Sequence, residues 1–266
     1  MDNSYKKIQE IKEKGYTILP QVLEPNQVEF LLFHTKKLYE ETKDKISQDA
    51  PYLNKTSPNI YNLQNHIGGM LYLEFLLRYE PKIEEILKYF LNDKFYKKIP
   101  QHSPNYILRH YGARSSTDAL PLHIDSFIPY TGDEPIAMQV AIMLEDSNIE
   151  TGCTTMIPGS HQSGKYADQK DIDKTIPIET KAGDYIIWDS RVIHGTTENK
   201  SGGTRWALVS TFTRWWIKQM FDIPKGLNDE IYNKLSQKEK YILGFGTIPY
   251  ENEYKGIDLK KGYENI

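Results

Sequence analysis

The chain has 266 residues, 39% of them hydrophobic and 12% aromatic, with nineteen tyrosines, which is enough apolar mass for a substantial core and not the composition of a disordered segment. A formal net charge of −3, with lysines scattered among glutamates and no basic stripe, argues against nucleic acid as a partner. A single cysteine excludes a disulfide framework, and no run approaches the ~18 apolar residues of a membrane helix, so the expectation is a cytoplasmic protein that engages no membrane.

The opening stretch "MDNSYKKIQEIKEKG" is charged, lacks the apolar core of a signal peptide, and reads as a helix over 4–14 that stops at Gly15. "YTILP" reads as a short strand. Glu24-Pro25 opens a second helix whose Val28, Leu31, Leu32, Leu38 and Tyr39 follow the helical period. Residues 48–66 are rich in turn formers and read as loop. A helical stretch runs from about Met70 to Leu91, interrupted near Pro81. From Asn105 the character changes: "NYILRHYG", "LPLHIDSF", "AMQVAIMLED", "CTTMIPGSH", "TIPIET", "DYIIWDSRVIHG" and "RWALVSTFTRWW" alternate or are β-branched between Gly, Pro and Asn punctuation. So many short strands in succession predict a sandwich, jelly roll or small barrel. After Pro224 the tail turns helical again, most clearly in "LNDEIYNKLSQKEKYILGFG". No internal repeat is evident, and the whole of 1–266 reads as one domain: a mostly helical part to residue 100, a β core over 105–216, and a helical and loop tail over 224–266.

Within "ALPLHIDSF", His123 and Asp125 stand two positions apart in an apolar run. On a strand such residues share a face, and a buried carboxylate there needs a counter-charge or a metal. His194 closes the apolar stretch "IIWDSRVIH" just before a polar turn, a rim position open to a ligand. Two histidines and one carboxylate on one face of an octahedron form the ligand set of non-haem Fe(II) oxygenases, with the remaining positions left for cosubstrate and O2. Arg205 lies across the turn "TTENKSGG". If the two flanking segments pair as a hairpin, it shares an inward face with Ala207, Val209 and Thr211, which leave room for a ligand. A guanidinium there matches a carboxylate in two-point fashion, so a dicarboxylic cosubstrate would chelate the metal at one end and pair with Arg205 at the other, with the Thr196 hydroxyl as a further donor.

The segments "HID", "EDSNIETGCTTMIPGSH" and "KAGDYIIWDSRVIHGTTENKSGGTRWAL", with "EKGYTILPQVLEPNQVEFL" near the N-terminus, resemble the phytanoyl-CoA dioxygenase (PhyH-like) family of Fe(II)/2-oxoglutarate oxygenases over most of residues 8–214. The resemblance implies a mainly β fold with flanking helices around a double-stranded β-helix (jelly-roll, cupin-like) core. It implies Fe(II) on His123, Asp125 and His194, and 2-oxoglutarate held at its distal carboxylate by Arg205 and Thr196. Tyr106 and Gln139 are further cosubstrate contacts by position. It also implies an oxidoreductase that decarboxylates 2-oxoglutarate to succinate and CO2 and hydroxylates an unactivated C–H bond of a small-molecule substrate. Asp125 argues against halogenation, since halogenating relatives lack the carboxylate. Ala141 departs from the family, where an aromatic is frequent, and this loosens any transfer of substrate identity.

Plainer readings stand beside these. His123 and Asp125 also suit a structural pair; His161 after Pro-Gly suits hydrogen bonding, and His110 suits strand packing. Cys153 suits a small buried hydrophobe. Asp184, Glu145 and Asp146 read as turn residues, and Trp215-Trp216 as packing. Arg109, Arg114 and Lys165 are either contacts for an anionic group or surface charges. Two further functions fit the scaffold: a cupin-like metal-dependent isomerase or hydrolase, and a non-catalytic 2-oxoglutarate-binding protein. Oligomeric state is not written in the sequence.

Overall fold

The structure is a computed structural model that describes residues 3–46, 57–126, 128–249 and 253–254. Helix α1 (Asn3–Lys14) ends at Gly15, whose positive φ of 88° turns the chain directly into strand β1 (Tyr16–Leu19). A side chain at Gly15 would collide with Val192, so only glycine fits where this turn meets the core. Helix α2 (Pro25–Thr42) starts on proline at its first turn, and the Glu24 N–H donates to Gln27 Oε1 at 2.9 Å. Its Val28, Leu31, Thr35 and Leu38 are buried at helical spacing.

The 48–66 segment is not all loop: Asn59–Tyr61 form strand β2 and Leu63–Asn65 a 3₁₀ turn, while 47–56 fall outside the described residues. β2 is only three residues long and exists because strand β3 (Tyr106–Ser115) offers it a pairing edge, a reason invisible to local propensity. The helical stretch of 70–91 is two helices, α3 (Gly69–Leu77) and α4 (Pro81–Leu91), with Pro81 at the first turn of the second and Glu80 accepting from the Lys82 N–H at 3.0 Å.

The β core follows as β4 (Leu120–His123), β5 (Ala137–Met143), β6 (Thr154–Met156), β7 (Ile176–Ile178), β8 (Tyr185–Asp189), β9 (His194–Thr196) and β10 (Trp206–Arg214). The strands make a six-stranded sheet in the order β1-β8-β5-β10-β3-β2 and a four-stranded sheet in the order β4-β9-β6-β7. Between them lies one apolar cluster: Ala141 and Met143 of β5, Met156 of β6, Ile178 of β7, Ile186 and Trp188 of β8, and Ala207 of β10. This is the double-stranded β-helix core flanked by helices. Two expectations about it change. "DYIIWDSRVIHG" is not one strand: β8 belongs to the larger sheet and β9 to the smaller. The chain crosses between them at a turn in which Asp189 accepts from the Arg191 N–H, Nε and Nη2 at 2.9, 3.0 and 2.7 Å. Nor do the segments on either side of "TTENKSGG" pair as a hairpin, because β10 lies between β5 and β3 in the larger sheet.

The chain forms two compact units, residues 1–61, 112–135 and 139–209, and residues 62–111, 136–138 and 210–266. The first contains the apolar cluster above. In the second, Tyr96 stacks on Trp215 with ring centroids 4.1 Å apart, and the Trp215 indole donates to Asp93 at 2.9 Å, so Trp215 is a packing residue. Its tail is two short helices, α6 (Asp229–Lys234) and α7 (Gln237–Ile242), after a first turn α5 (Ile223–Gly226). The single helix expected there breaks because Ser236 caps α7, its hydroxyl taking the Glu239 N–H while Glu239 takes the Ser236 N–H at 2.7 Å. Among the described residues no helix is long and apolar enough to cross a membrane.

Candidate metal centre

The two histidines are cross-strand neighbours: His123, the last residue of β4, pairs with His194, the first of β9, and their ring centroids are 4.2 Å apart. Gly195 is what lets β4 come so close, since a Cβ there would sit 2.6 Å from the Leu120 carbonyl oxygen. Asp125 does not continue the strand as expected. β4 ends at His123, and Asp125 lies in a turn whose amide donates to the Ser190 carbonyl at 2.8 Å, with Ser126 donating to the same oxygen at 3.0 Å. The turn, rather than strand parity, aims the carboxylate at the histidines.

Ligand atoms of His123, Asp125 and His194 all lie within 4.8 Å of one another. The Asp125 oxygens are 3.6 Å from His123 Nε2 and 3.4 Å from His194 Nε2. Each ring uses its Nδ1 at 2.9 Å from a backbone carbonyl, Pro121 for His123 and Val192 for His194. A carbonyl can only accept, so Nδ1 carries a proton, and in the neutral ring Nε2 presents a lone pair to the carboxylate. Lone pairs facing one another at these distances call for a cation between them, and the donor set suits Fe(II). Burial draws His194 below the usual imidazole range despite the nearby carboxylate, keeping it neutral and ready to ligate. Burial pushes Asp125 upward, but the His194 and His123 rings and the Trp188 indole outweigh it and hold the acid ionised. The side chains of His123, Asp125 and His194 are 40%, 28% and 8% exposed, so a ligand enters from the His123 side.

Arg205 is 7% exposed and immediately precedes β10. Its backbone N–H donates to Ser115 Oγ at 3.0 Å, and Glu145 braces the strand start by accepting from the Trp206 N–H at 2.8 Å and the Thr204 hydroxyl at 2.9 Å. In the guanidinium itself, Nε is buried without a hydrogen-bond partner among the described residues, and burial together with the neighbouring Arg114 pulls the group down to about 10. A cation so placed is costly until an anion joins it. Thr196, two residues along β9 from His194, accepts the Leu120 N–H at 3.0 Å and keeps its hydroxyl proton to donate.

The two further candidates, Gln139 and Tyr106, are both buried strand residues. Gln139 is buried and donates to Ser190 Oγ at 3.3 Å, so it steadies the residue whose carbonyl anchors Asp125. Tyr106 is 1% exposed with its ring edge-on to Phe212 at 5.7 Å. His161 has its Nε2 3.2 Å from the Lys12 carbonyl, while Ser160 of the same "PGSH" accepts the Ile193 N–H at 2.8 Å and fixes the residue before His194. Cys153 is fully buried, as a small hydrophobe would be. Sequence reasoning missed Trp188. Its ring is 5.8 Å from that of His194, and its buried N–H, which makes no close hydrogen bond, is turned toward the Asp125 carboxylate. An aromatic one residue before the Asp-x-Arg turn was the available signal.

The sequence profile of the phytanoyl-CoA dioxygenase (PhyH) family matches residues 11–207. An uncharacterized protein of Mycobacterium bovis is 27% identical over 110 residues, covering 41% of this chain, and the chain spans 40% of that relative's length. Among solved structures, HygX from Streptomyces hygroscopicus with nickel and 2-oxoglutarate bound superposes with a TM-score of 0.61 at 12% identity, covering 82% of this chain and 89% of its own. The non-haem alpha-ketoglutarate-dependent epimerase SnoN from nogalamycin biosynthesis superposes with a TM-score of 0.57 at 18% identity, covering 79% and 82%. At such identities the structural likeness is one of fold. The profile carries the assignment, and by it the chain belongs to the phytanoyl-CoA dioxygenase (PhyH) family.

Proposed function

We propose that the chain hydroxylates an unactivated C–H bond of a small molecule while converting 2-oxoglutarate and O2 to succinate and CO2. The observation that carries this reading is the pairing of a three-ligand centre with a buried, uncompensated guanidinium in the same unit. When bound, Fe(II) with its 2-oxo acid supplies the oxidising power, and the protein supplies orientation and shelter. His123, Asp125 and His194 would hold the metal and leave room beside it for further ligands. Arg205 takes the distal carboxylate of 2-oxoglutarate through its fork, and the Thr196 hydroxyl donates to the same group. Trp188 and the Ser190 carbonyl keep Asp125 aimed, the indole at the carboxylate and the carbonyl at its amide. The apolar wall of Ala207 and Val209 beyond Arg205 keeps water from the cosubstrate.

A metal-dependent isomerase or hydrolase has no use for a carboxylate clamp in this place, which favours the oxygenase. The test is succinate release from 2-oxoglutarate by the full chain with ferrous iron, with and without O2, across a panel of candidate substrates. Oxygen-dependent succinate is the expected result. Failure to bind 2-oxoglutarate, or metal-dependent turnover that persists without O2, would refute the reading.

A further inference from the structure

Arg114 is the second guanidinium of this site, and its surroundings say what it is for. In the antiparallel pairing of β2 with β3, Asn59 lies opposite Arg114 and Tyr61 opposite Gly112, with Ile60 opposite Ala113. Residues opposite or two apart share a face, so Asn59, Tyr61 and Arg114 stand on one side of the ribbon with bare backbone at Gly112 between them. The other side, Ile60 and Ala113, is 3% and 2% exposed, whereas Asn59, Tyr61 and Arg114 are each partly open. The Arg114 charge on that face lies within electrostatic reach of the metal centre. The Asp125 carboxylate, the His123 ring and the Arg205 guanidinium all sense the Arg114 charge, and Arg205 is tied to the next residue, Ser115, at 3.0 Å. Yet among the described residues no carboxylate lies within ion-pair distance of Arg114 and no acceptor takes a hydrogen bond from its guanidinium. The Asn59 amide is already spent on the Ser57 carbonyl.

On the reading proposed above, the charges can be summed. A divalent metal, the Asp125 carboxylate, a dianionic cosubstrate and the Arg205 guanidinium cancel. Arg114 leaves one positive charge over in a partly buried place, where an unpaired ion is costly. We infer that the substrate carries an anionic group, a carboxylate or a phosphate, which Arg114 grips by its fork on this partly open face, and that Arg114 selects for it. Tyr61, diagonal to Arg114 on the same face, places its phenol beside that group. The inference rests on the 2-oxoglutarate reading, because only a dianion paired with Arg205 leaves Arg114 over.

The test uses the full chain loaded with zinc and saturating 2-oxoglutarate, so that no turnover occurs. Binding of hexanoate against hexanamide, benzoate against benzamide, and butyl phosphate is read by ligand-observed NMR. The expected result is that the acids, or the phosphate if that is the native group, bind about tenfold or more tightly than the amides. Arg114→Gln removes the preference, Arg114→Lys restores part of it, and the 2-oxoglutarate Kd moves by less than about threefold. Equal or undetectable binding of anions and amides to the wild type overturns the inference. So does an unchanged preference in Arg114→Gln, or a 2-oxoglutarate Kd raised about tenfold by that substitution, which would make Arg114 a cosubstrate residue. Failure of the wild type to bind 2-oxoglutarate is a separate result, and it refutes the underlying reading instead.

Discussion

Two buried arginines lie fourteen positions apart at 191 and 205, and they stand in opposite conditions. Arg191 is 4% exposed and saturated: Nε and Nη2 on Asp189, Nη1 on the Gly132 carbonyl at 2.7 Å, and its guanidinium 4.5 Å from the centre of the Tyr130 ring. Burial works against its charge, but Asp189 outweighs burial and raises the group. Arg205 is 7% exposed with a buried, unpartnered Nε, and it falls to about 10. Equal burial with unequal satisfaction separates an arginine that holds the fold from one that waits for a ligand. His110 shows a third outcome. Burial pushes it down to about 4, so it resolves the cost of a buried charge by staying neutral.

Four experiments bear on this contrast. The largest effect belongs to the ligand side: His194→Ala should drop succinate release to the uncatalysed background and abolish the rise in Tm that ferrous iron gives the wild type. Retained turnover would move the metal away from this centre. Next, Asp189→Ala strands the Arg191 charge in the interior and should cost about 3–5 kcal/mol of unfolding free energy, read by denaturant titration. A loss below about 1 kcal/mol would show that the pair is not what holds the turn. Arg205→Ala reverses that pattern. It removes a charge that has no ion-pair partner among the described residues, so stability should hold or rise, while the 2-oxoglutarate Kd increases by roughly 10- to 100-fold. A destabilised protein with unchanged Kd would place Arg205 with Arg191 as structural.

The smallest effect concerns His110. Its folded value lies below the unfolded 6.5, so the folded protein resists a proton that the unfolded chain accepts. Stability is therefore whole above about pH 6.5 and declines as pH falls toward about 4. His110→Phe should flatten this decline by about 2 kcal/mol between pH 7 and 4.5, measured against the wild type so that the shared titration of carboxylates cancels. Equal slopes in the two proteins would mean that His110 charges freely in the folded state.

Much of the centre was legible because its signals are local. His194 ends an apolar run before a turn, and "HID" places an imidazole and a carboxylate close together whatever the backbone does. "PGSH" was legible as a motif but not as a device: Ser160 works on Ile193, a residue far along the chain, and nothing local announces that hydrogen bond. Asp125 was found for an incomplete reason, because strand parity ends at His123 and the Ser190 carbonyl takes over. Trp188 was the costliest gap, and Arg114 stayed open between an anion contact and a surface charge, since an indole or a guanidinium acquires a role only from what folds against it.

The sequence by itself determined the elements and the chemistry available: helical periods with their caps, short β-branched runs, and two histidines, an aspartate and an arginine of the right kinds. Those follow from side-chain structure and neighbours within a few positions. Only the tertiary structure decided that β8 and β9 enter different sheets, that β10 lies between β5 and β3, and that Arg114 comes within electrostatic reach of both Asp125 and Arg205. Pairing partners and registers are chosen by burial summed over distant strands, and no short window of sequence contains that sum.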